Sequence, residues 1–256
     1  MRPSRLALFL STAGSDFARL AVASGVDVVI VDGEHGHPLD STLDGVCSAV
    51  HEAGGRCFVR ITLDQTGMIG RLLDAGLDGL VISGVEDPAD LARVADLARF
   101  VPDGMRSVNP FVVAATPIGD EDALRQSAAS VELWAMAETR ALLAIASARD
   151  SSVLDPGLVA RWTGFVVGPY DLAAATGQVS SPDNDALVVD VTIFQDFARS
   201  NGLAMGLFSR SDDVMRRWRA RGITPDLVIV GYDRDVWFAE MSRRVGQYED
   251  QSVNDV

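Results

Sequence analysis

Residues 26–40 read VDVVIVDGEHGHPLD, and the fold follows from how that stretch divides. Positions 28–31 are an unbroken apolar run of β-branched residues, short enough to be one buried strand. Within two residues the chain turns to Asp32, Gly33, Glu34, His35, Gly36 and His37. Two carboxylates and two imidazoles on a glycine-flanked turn are not what a core strand needs at its end, so chemistry is expected there.

The same grammar recurs along the chain. Apolar strands are predicted over 6–10, 28–31, 56–60, 79–83, 132–137, 164–167, 203–207 and 227–230. Helical patterns separate them over 16–24, 41–53, 66–75, 88–99, 139–148, 185–200, 212–221 and 234–247, with a short helical piece at 121–126. Ser15 or Asp16 is the expected cap of the first helix, and Gly76 closes the third. Eight strands alternating with helices predict a single-domain (β/α)8 barrel over residues 1–247, followed by a polar, frayed tail at 248–256. A doubly wound open sheet is the competing reading, disfavoured because no G-x-G-x-x-G turn opens a helix.

Composition removes several functions. The net charge of −14 argues against nucleic acid or an anionic membrane as a partner. All 22 basic residues are Arg, and without Lys neither Schiff-base chemistry nor a P-loop is available. Cys47 and Cys57 lack zinc-site spacing and read as reduced, buried residues without nearby partners. The apolar run after Arg5 is too short for a signal peptide, and no stretch reaches the ~18 residues of a membrane span, so a cytoplasmic protein is expected.

In a barrel the chemistry sits at the C-terminal ends of the strands. Those positions hold Asp32, Glu34 and His35 after strand two, Arg60 at the end of strand three, Glu138 after strand five and Asp171 after strand six. Glu138 and Asp171 together suit a hard cation such as Mg²⁺ or Mn²⁺. Arg60 suits a carboxylate or a developing enolate oxygen. His35 suits proton transfer, with Asp32 or Glu34 orienting its ring. Each has a plainer alternative: Glu138 capping the helix at Thr139, Asp171 serving the turn after Pro169, Arg60 in a salt bridge. His37 and His51 have no convergent partners; His51, and the cluster of Arg216, Arg217, Arg219 and Arg221 in the last turns of a helix, read as surface groups.

At these residues the sequence resembles the HpcH/HpaI aldolase family of metal-dependent class II pyruvate aldolases, related to the citrate lyase β subunit. The resemblance runs from LALFL to about Trp237 and rests on VDGEHGH, FVRI ending at Arg60, RLLDAGLDGLV with Asp74, PDGMR at 102–106, AETR around Glu138 and GPYDL ending at Asp171. It implies a barrel, in a trimer or in a hexamer that exchanges its last helix between subunits. It implies a divalent metal (Mg²⁺ or Mn²⁺, or Co²⁺) on Glu138 and Asp171, Arg60 on the pyruvate oxygens, and His35 with Asp32 as the acid/base pair. The backbone of Gly168, Pro169, Tyr170 and Asp171 would hold the pyruvate carboxylate. The implied reaction forms or cleaves a 4-hydroxy-2-oxo acid from pyruvate and an aldehyde or other carbonyl acceptor. Met136, Ser83, Ser107 and Tyr170 depart from the family's pattern. They define the alternatives: citrate-synthase-like or acyl-CoA lyase chemistry, or a silent keto-acid-binding barrel.

Overall fold

The computed structural model describes residues 4–12, 14–36, 39, 42–115, 117–148, 155–181 and 183–254. His37 lies outside these. Eight parallel strands close on themselves in sequence order: β1 (Arg5–Leu10), β2 (Val28–Asp32), β3 (Arg56–Thr62), β4 (Gly79–Ser83), β5 (Glu132–Ala137), β6 (Gly164–Val167), β7 (Ala204–Phe208) and β8 (Leu227–Tyr232). Each is a near-continuous apolar run because one face meets the barrel interior and the other meets a helix. All eight predicted strands are present, with ends differing by one or two residues.

Alternation along the strands sorts the residues into two cores. Ala7, Phe9, Val28, Ile30, Phe58, Trp134, Met136, Val166 and Phe208 belong to the inner one. The residues between them, such as Val29, Val31, Val59, Ala135 and Val167, belong to the larger core beneath the helices. Trp134 is fully buried at the centre, where truncation to Ala costs about 3–5 kcal/mol.

The same parity fixes both ends of the interior column. Two residues before Ala7, Phe58 and Trp134 come Arg5, Arg56 and Glu132, which plug the N-terminal end of the barrel. Glu132 accepts two hydrogen bonds from Arg5, at 2.7 and 2.8 Å, one from Trp134 Nε1 at 2.9 Å, and another from Arg56. Two residues beyond Ile30 and Phe58 come Asp32 and Arg60, paired directly in the β2–β3 register. Two beyond Met136 and Val166 come Glu138 and Gly168.

Helices α1 (Ser15–Ala23), α2 (Thr42–Glu52), α3 (Ile69–Asp74), α4 (Pro88–Ala98), α5 (Glu121–Ser130) and α6 (Arg140–Ser147) lie close to expectation, α5 being longer. Gly14, not Ser15 or Asp16, is the α1 N-cap, and no side chain caps it. A 3-10 turn (Leu63–Met68) takes up the first part of the helix expected over 66–75. Two helices were not anticipated: α7 (Pro156–Val159) and α8 (Pro169–Thr176), the latter where a loop was expected after GPYDL. Next come α9 (Asp185–Ser200), α10 (Asp212–Ala220) and α11 (Asp233–Asn254), so the last helix continues through most of the expected tail. No helix among the described residues is long and apolar enough to cross a membrane.

Two side chains read as partnerless, those of Cys47 and His51, are not. Cys47 Sγ lies 3.6 Å from the Gly76 carbonyl and 3.9 Å from His51 Nδ1. His51 Nε2 lies 2.8 Å from Asp78 Oδ2, which also accepts the Cys57 N–H at 2.8 Å. Asp78 and then the Cys47 thiol raise the His51 pKa to about 10. Together these contacts tie α2 to β3 and to the turn before β4. In the arginine cluster, Arg216 pairs with Asp213 at 3.4 Å, and Arg217 and Arg221 pair with Asp183 and Asp185.

Candidate active site

Arg60 organises the C-terminal mouth of the barrel. It is 3% exposed, and its Nε donates to Asp32 Oδ1 at 2.8 Å. One terminal nitrogen donates to the Tyr232 hydroxyl at 2.9 Å and the other lies 3.1 Å from Glu34 Oε2. Its guanidinium carbon stands 4.6 Å from the centre of the Phe9 ring. Burial lowers the Arg60 pKa, but Asp32, Tyr232 and Glu34 outweigh it and the net shift is upward. The cation is therefore fixed in charge and in direction, as recognition of a carboxylate or enolate oxygen requires.

Asp32 is fully buried. Its Oδ1 also accepts the backbone N–H groups of Glu34 and His35, both at 3.2 Å, which folds the turn back over the strand end. Glycines permit that path. A Cβ on Gly33 would lie 2.7 Å from the Arg60 carbonyl oxygen, and one on Gly36 would lie 2.8 Å from Ser11 Cα. The turn thus presents His35 outward, with its side chain 66% exposed and Nε2 4.0 Å from Glu34 Oε2. This differs from the expected pairing: Asp32 holds Arg60 and the His35 backbone, while the carboxylate beside the imidazole is Glu34. Glu34, the other carboxylate offered for orienting the ring, touches both Arg60 and His35.

Glu138 follows β5 and does not cap the next helix, because Thr139 Oγ1 does so by accepting the Leu142 N–H at 3.1 Å. The Glu138 carboxylate reaches across to Gly84, whose N–H it accepts at 3.0 Å. Gly84 has φ of +74°, available to glycine without strain. Burial raises the Glu138 pKa to about 7, with Asp171 and Glu34 adding to it and Arg60 and the Gly84 N–H opposing.

Asp171 sits in the first turn of α8, whose N-cap is Gly168 and whose first residue is Pro169. A Cβ placed on Gly168 would stand 3.4 Å from Glu138 Oε2, 3.8 Å from Asp171 Oδ2 and 3.1 Å from Met136 Cε. Two carboxylates thus converge on one small space that only a glycine leaves open. A hard divalent cation suits that donor set. No cluster of three or more His, Cys, Asp or Glu side chains with metal geometry occurs among the described residues. Glu138 and Asp171 would therefore hold such an ion together with water and substrate oxygens. The first N–H groups of α8 point toward the same end of the barrel and favour an anion.

The cavity over these groups has a volume of about 340 Å³. Arg60, Gly168, Pro169, Tyr170 and Asp171, all named from the sequence, line it. So do Phe9, Phe208, Arg210, Tyr232 and Asp235, which that reading did not single out. Phe9 and Phe208 lie on the interior parity of their strands and were indistinguishable from ordinary core. Tyr232 lies past a shift in the β1–β8 register between Ala7 and Phe9, which strand periodicity does not foretell.

Fold and mouth together define a barrel enzyme with an acidic, arginine-anchored site at the strand C-termini. The chain belongs to the HpcH/HpaI aldolase/citrate lyase family, whose model matches residues 5–236. It is 26% identical to the hydroxypyruvate/pyruvate aldolase of Chromohalobacter salexigens over 91% of this chain and 88% of that one. It is 28% identical to the 2-keto-3-deoxy-L-rhamnonate aldolase of Shigella sonnei over 96% of this chain and 89% of that one. Among solved structures, an HpcH/HpaI family protein from Burkholderia cenocepacia superposes with a TM-score of 0.82 at 25% identity, covering 96% and 95% of the two chains. The chain is accordingly an enzyme of the lyase class, an aldolase.

Proposed function

We propose that this aldolase is divalent-metal-dependent and forms or cleaves 4-hydroxy-2-oxo acids through a pyruvate enolate. The observation that carries the proposal is the convergence of Glu138 Oε2 and Asp171 Oδ2 beside Gly168, which lines one cavity together with Asp171 and Arg60. The names of the hydroxypyruvate/pyruvate and 2-keto-3-deoxy-L-rhamnonate aldolases support it from outside.

A Mg²⁺, Mn²⁺ or Co²⁺ ion held by Glu138 and Asp171 would supply a Lewis acid that draws charge onto the oxygens of a 2-oxo acid. Arg60, held by Asp32 and Tyr232, takes the developing enolate oxygen. The N-terminal backbone of α8, from Gly168 to Asp171, receives the substrate carboxylate. His35 takes and returns the proton at the acceptor oxygen, its charge steadied by Glu34. Asp32 acts by fixing Arg60 and the turn that carries His35. Met136 keeps water from the enolate side of the cavity.

The active form is proposed to be a cytoplasmic homo-oligomer, a trimer or a hexamer. Along α11, Val236, Trp237 and Met241 are 41–55% exposed and line a groove with Phe17 and Leu20 of α1, and Phe238 and Val245 of the same helix are also exposed. Contiguous apolar surface of this kind marks an association site.

The test of the activity is pyruvate release from a 4-hydroxy-2-oxo acid with Mn²⁺ or Mg²⁺ present. The proposal expects release that stops on thorough chelation and in Glu138→Ala. Full activity after either treatment removes the mechanism.

A further inference from the structure

The barrel mouth is divided into two unlike halves. Asp32, Arg60, Glu138 and Asp171 stand at the ends of β2, β3, β5 and β6 and make one half polar. The other half, from the end of β6 round through β7 and β8 to β1, carries Tyr170, Phe208, Tyr232 and Phe9, with Arg210 after β7 and Asp235 after β8 also lining the cavity. The four rings form a continuous wall. Tyr170 meets Phe208 edge-on with centroids 6.0 Å apart, Phe208 lies 5.8 Å from Tyr232 and 6.3 Å from Phe9, and Phe9 stacks on Tyr232 at 5.0 Å. Phe9 and Phe208 are buried at its base, whereas Tyr170 stands 47% exposed at the rim. All four line the cavity.

Resting on the aldolase reading above, we infer that the carbonyl acceptor is an aromatic aldehyde whose ring packs against Tyr170, Phe208 and Tyr232. The 2-oxo acid needs the polar half, because its two oxygen-bearing carbons call for Arg60, the α8 backbone and the cation site. What remains of the cavity beside it is the aromatic half. Aromatic rings prefer offset and edge-to-face partners, and Tyr170, edge-on to Phe208 and half-exposed at the rim, can take a further ring.

In the reaction, C3 of pyruvate loses one proton and bonds to the aldehyde carbon, and the aldehyde oxygen gains one proton. No oxidant or reductant is consumed.

Two measurements on the metal-loaded protein separate this inference from the reading beneath it. The first follows deuterium from D₂O into the pyruvate methyl group without any acceptor. The second compares kcat/KM for benzaldehyde with that for lactaldehyde, each with pyruvate. We expect deuterium exchange and a benzaldehyde preference of about tenfold or more, the scale of one or two ring contacts. The preference should fall several-fold in Phe208→Leu and in the rim variant Tyr170→Ser; a general loss of fold would lower both substrates together and leave the ratio unmoved. Exchange accompanied by a lactaldehyde preference, or by a ratio that neither variant changes, overturns the aromatic acceptor alone. No exchange with Mn²⁺ or Mg²⁺ removes the enolate reading and the acceptor with it.

Discussion

Asp32 and Arg60 sit side by side in the β2–β3 register, and the Arg60 guanidinium turns back 2.8 Å from Nε to Asp32 Oδ1 in a space closed to solvent. The pair is both a structural lock and the anchor of the site. Separating two charges already out of water leaves one of them buried and alone, which costs about 3–5 kcal/mol. Asp32→Asn should therefore destabilise the fold by roughly 3 kcal/mol in a urea titration. It should also raise the KM for pyruvate more than it lowers kcat. An unchanged denaturation midpoint would show that Arg60 finds its hold elsewhere.

Gly168 is proposed to leave room for an ion rather than for backbone freedom. Its φ of −93° and ψ of 91° are open to alanine. The added methyl would stand in the space between Glu138 and Asp171, against Met136. Gly168→Ala should keep the thermal midpoint within a few degrees and lower kcat/KM about a hundredfold, the penalty of roughly 1 Å of misplacement in a reacting group. Steady-state pyruvate formation beside a melting curve checks both halves.

The opposite end of the barrel sets the acid limit of the fold. Burial raises the Glu132 pKa, but hydrogen bonds and charge from Arg5 and Arg56 more than reverse it, so it lies below the ordinary 4.5. A carboxylate depressed in the folded state contributes stability above its unfolded pKa and loses it as pH falls through the folded value. Melting curves from pH 7 to pH 3 should show stability declining below about 4.5. Glu132→Gln should cost roughly 2 kcal/mol at pH 7 and flatten that decline, because its amide has no proton to gain.

Phe238 is 69% exposed on α11, beside Trp237. If this face joins copies of the chain, Phe238→Asp should lower the mass measured by sedimentation to that of a single subunit. A particle of unchanged mass would place the association elsewhere.

Much of this was legible because a barrel turns strand parity into geometry. Once residues 28–31 and 132–137 are strands, Asp32 and Glu138 must continue their inner faces, and Arg60 and Gly168 fall on the same side. What alternation cannot supply is the partner of a charged side chain. The residues alone leave Asp32 or Glu34 to orient the His35 ring and the resemblance favours Asp32, yet the register beside β3 gives Asp32 to Arg60, and Glu34 lies beside the imidazole. The helix at Pro169 is harder to read because glycine and proline also mark turns, although proline at a first helical position is a start signal. Phe9 and Phe208 stayed hidden because a strand's last inward residue and its core residues have the same hydrophobicity. Only closure of the sheet separates the rim from the core.

The central claim is that Glu138 and Asp171 hold the ion on which the chemistry depends. Calorimetric titration of Mn²⁺ into the metal-free protein, in the presence of pyruvate, tests it most directly. The account predicts one site per chain, lost in Glu138→Gln and in Asp171→Asn while both variants melt cooperatively. Undiminished Mn²⁺ binding in either variant would contradict it.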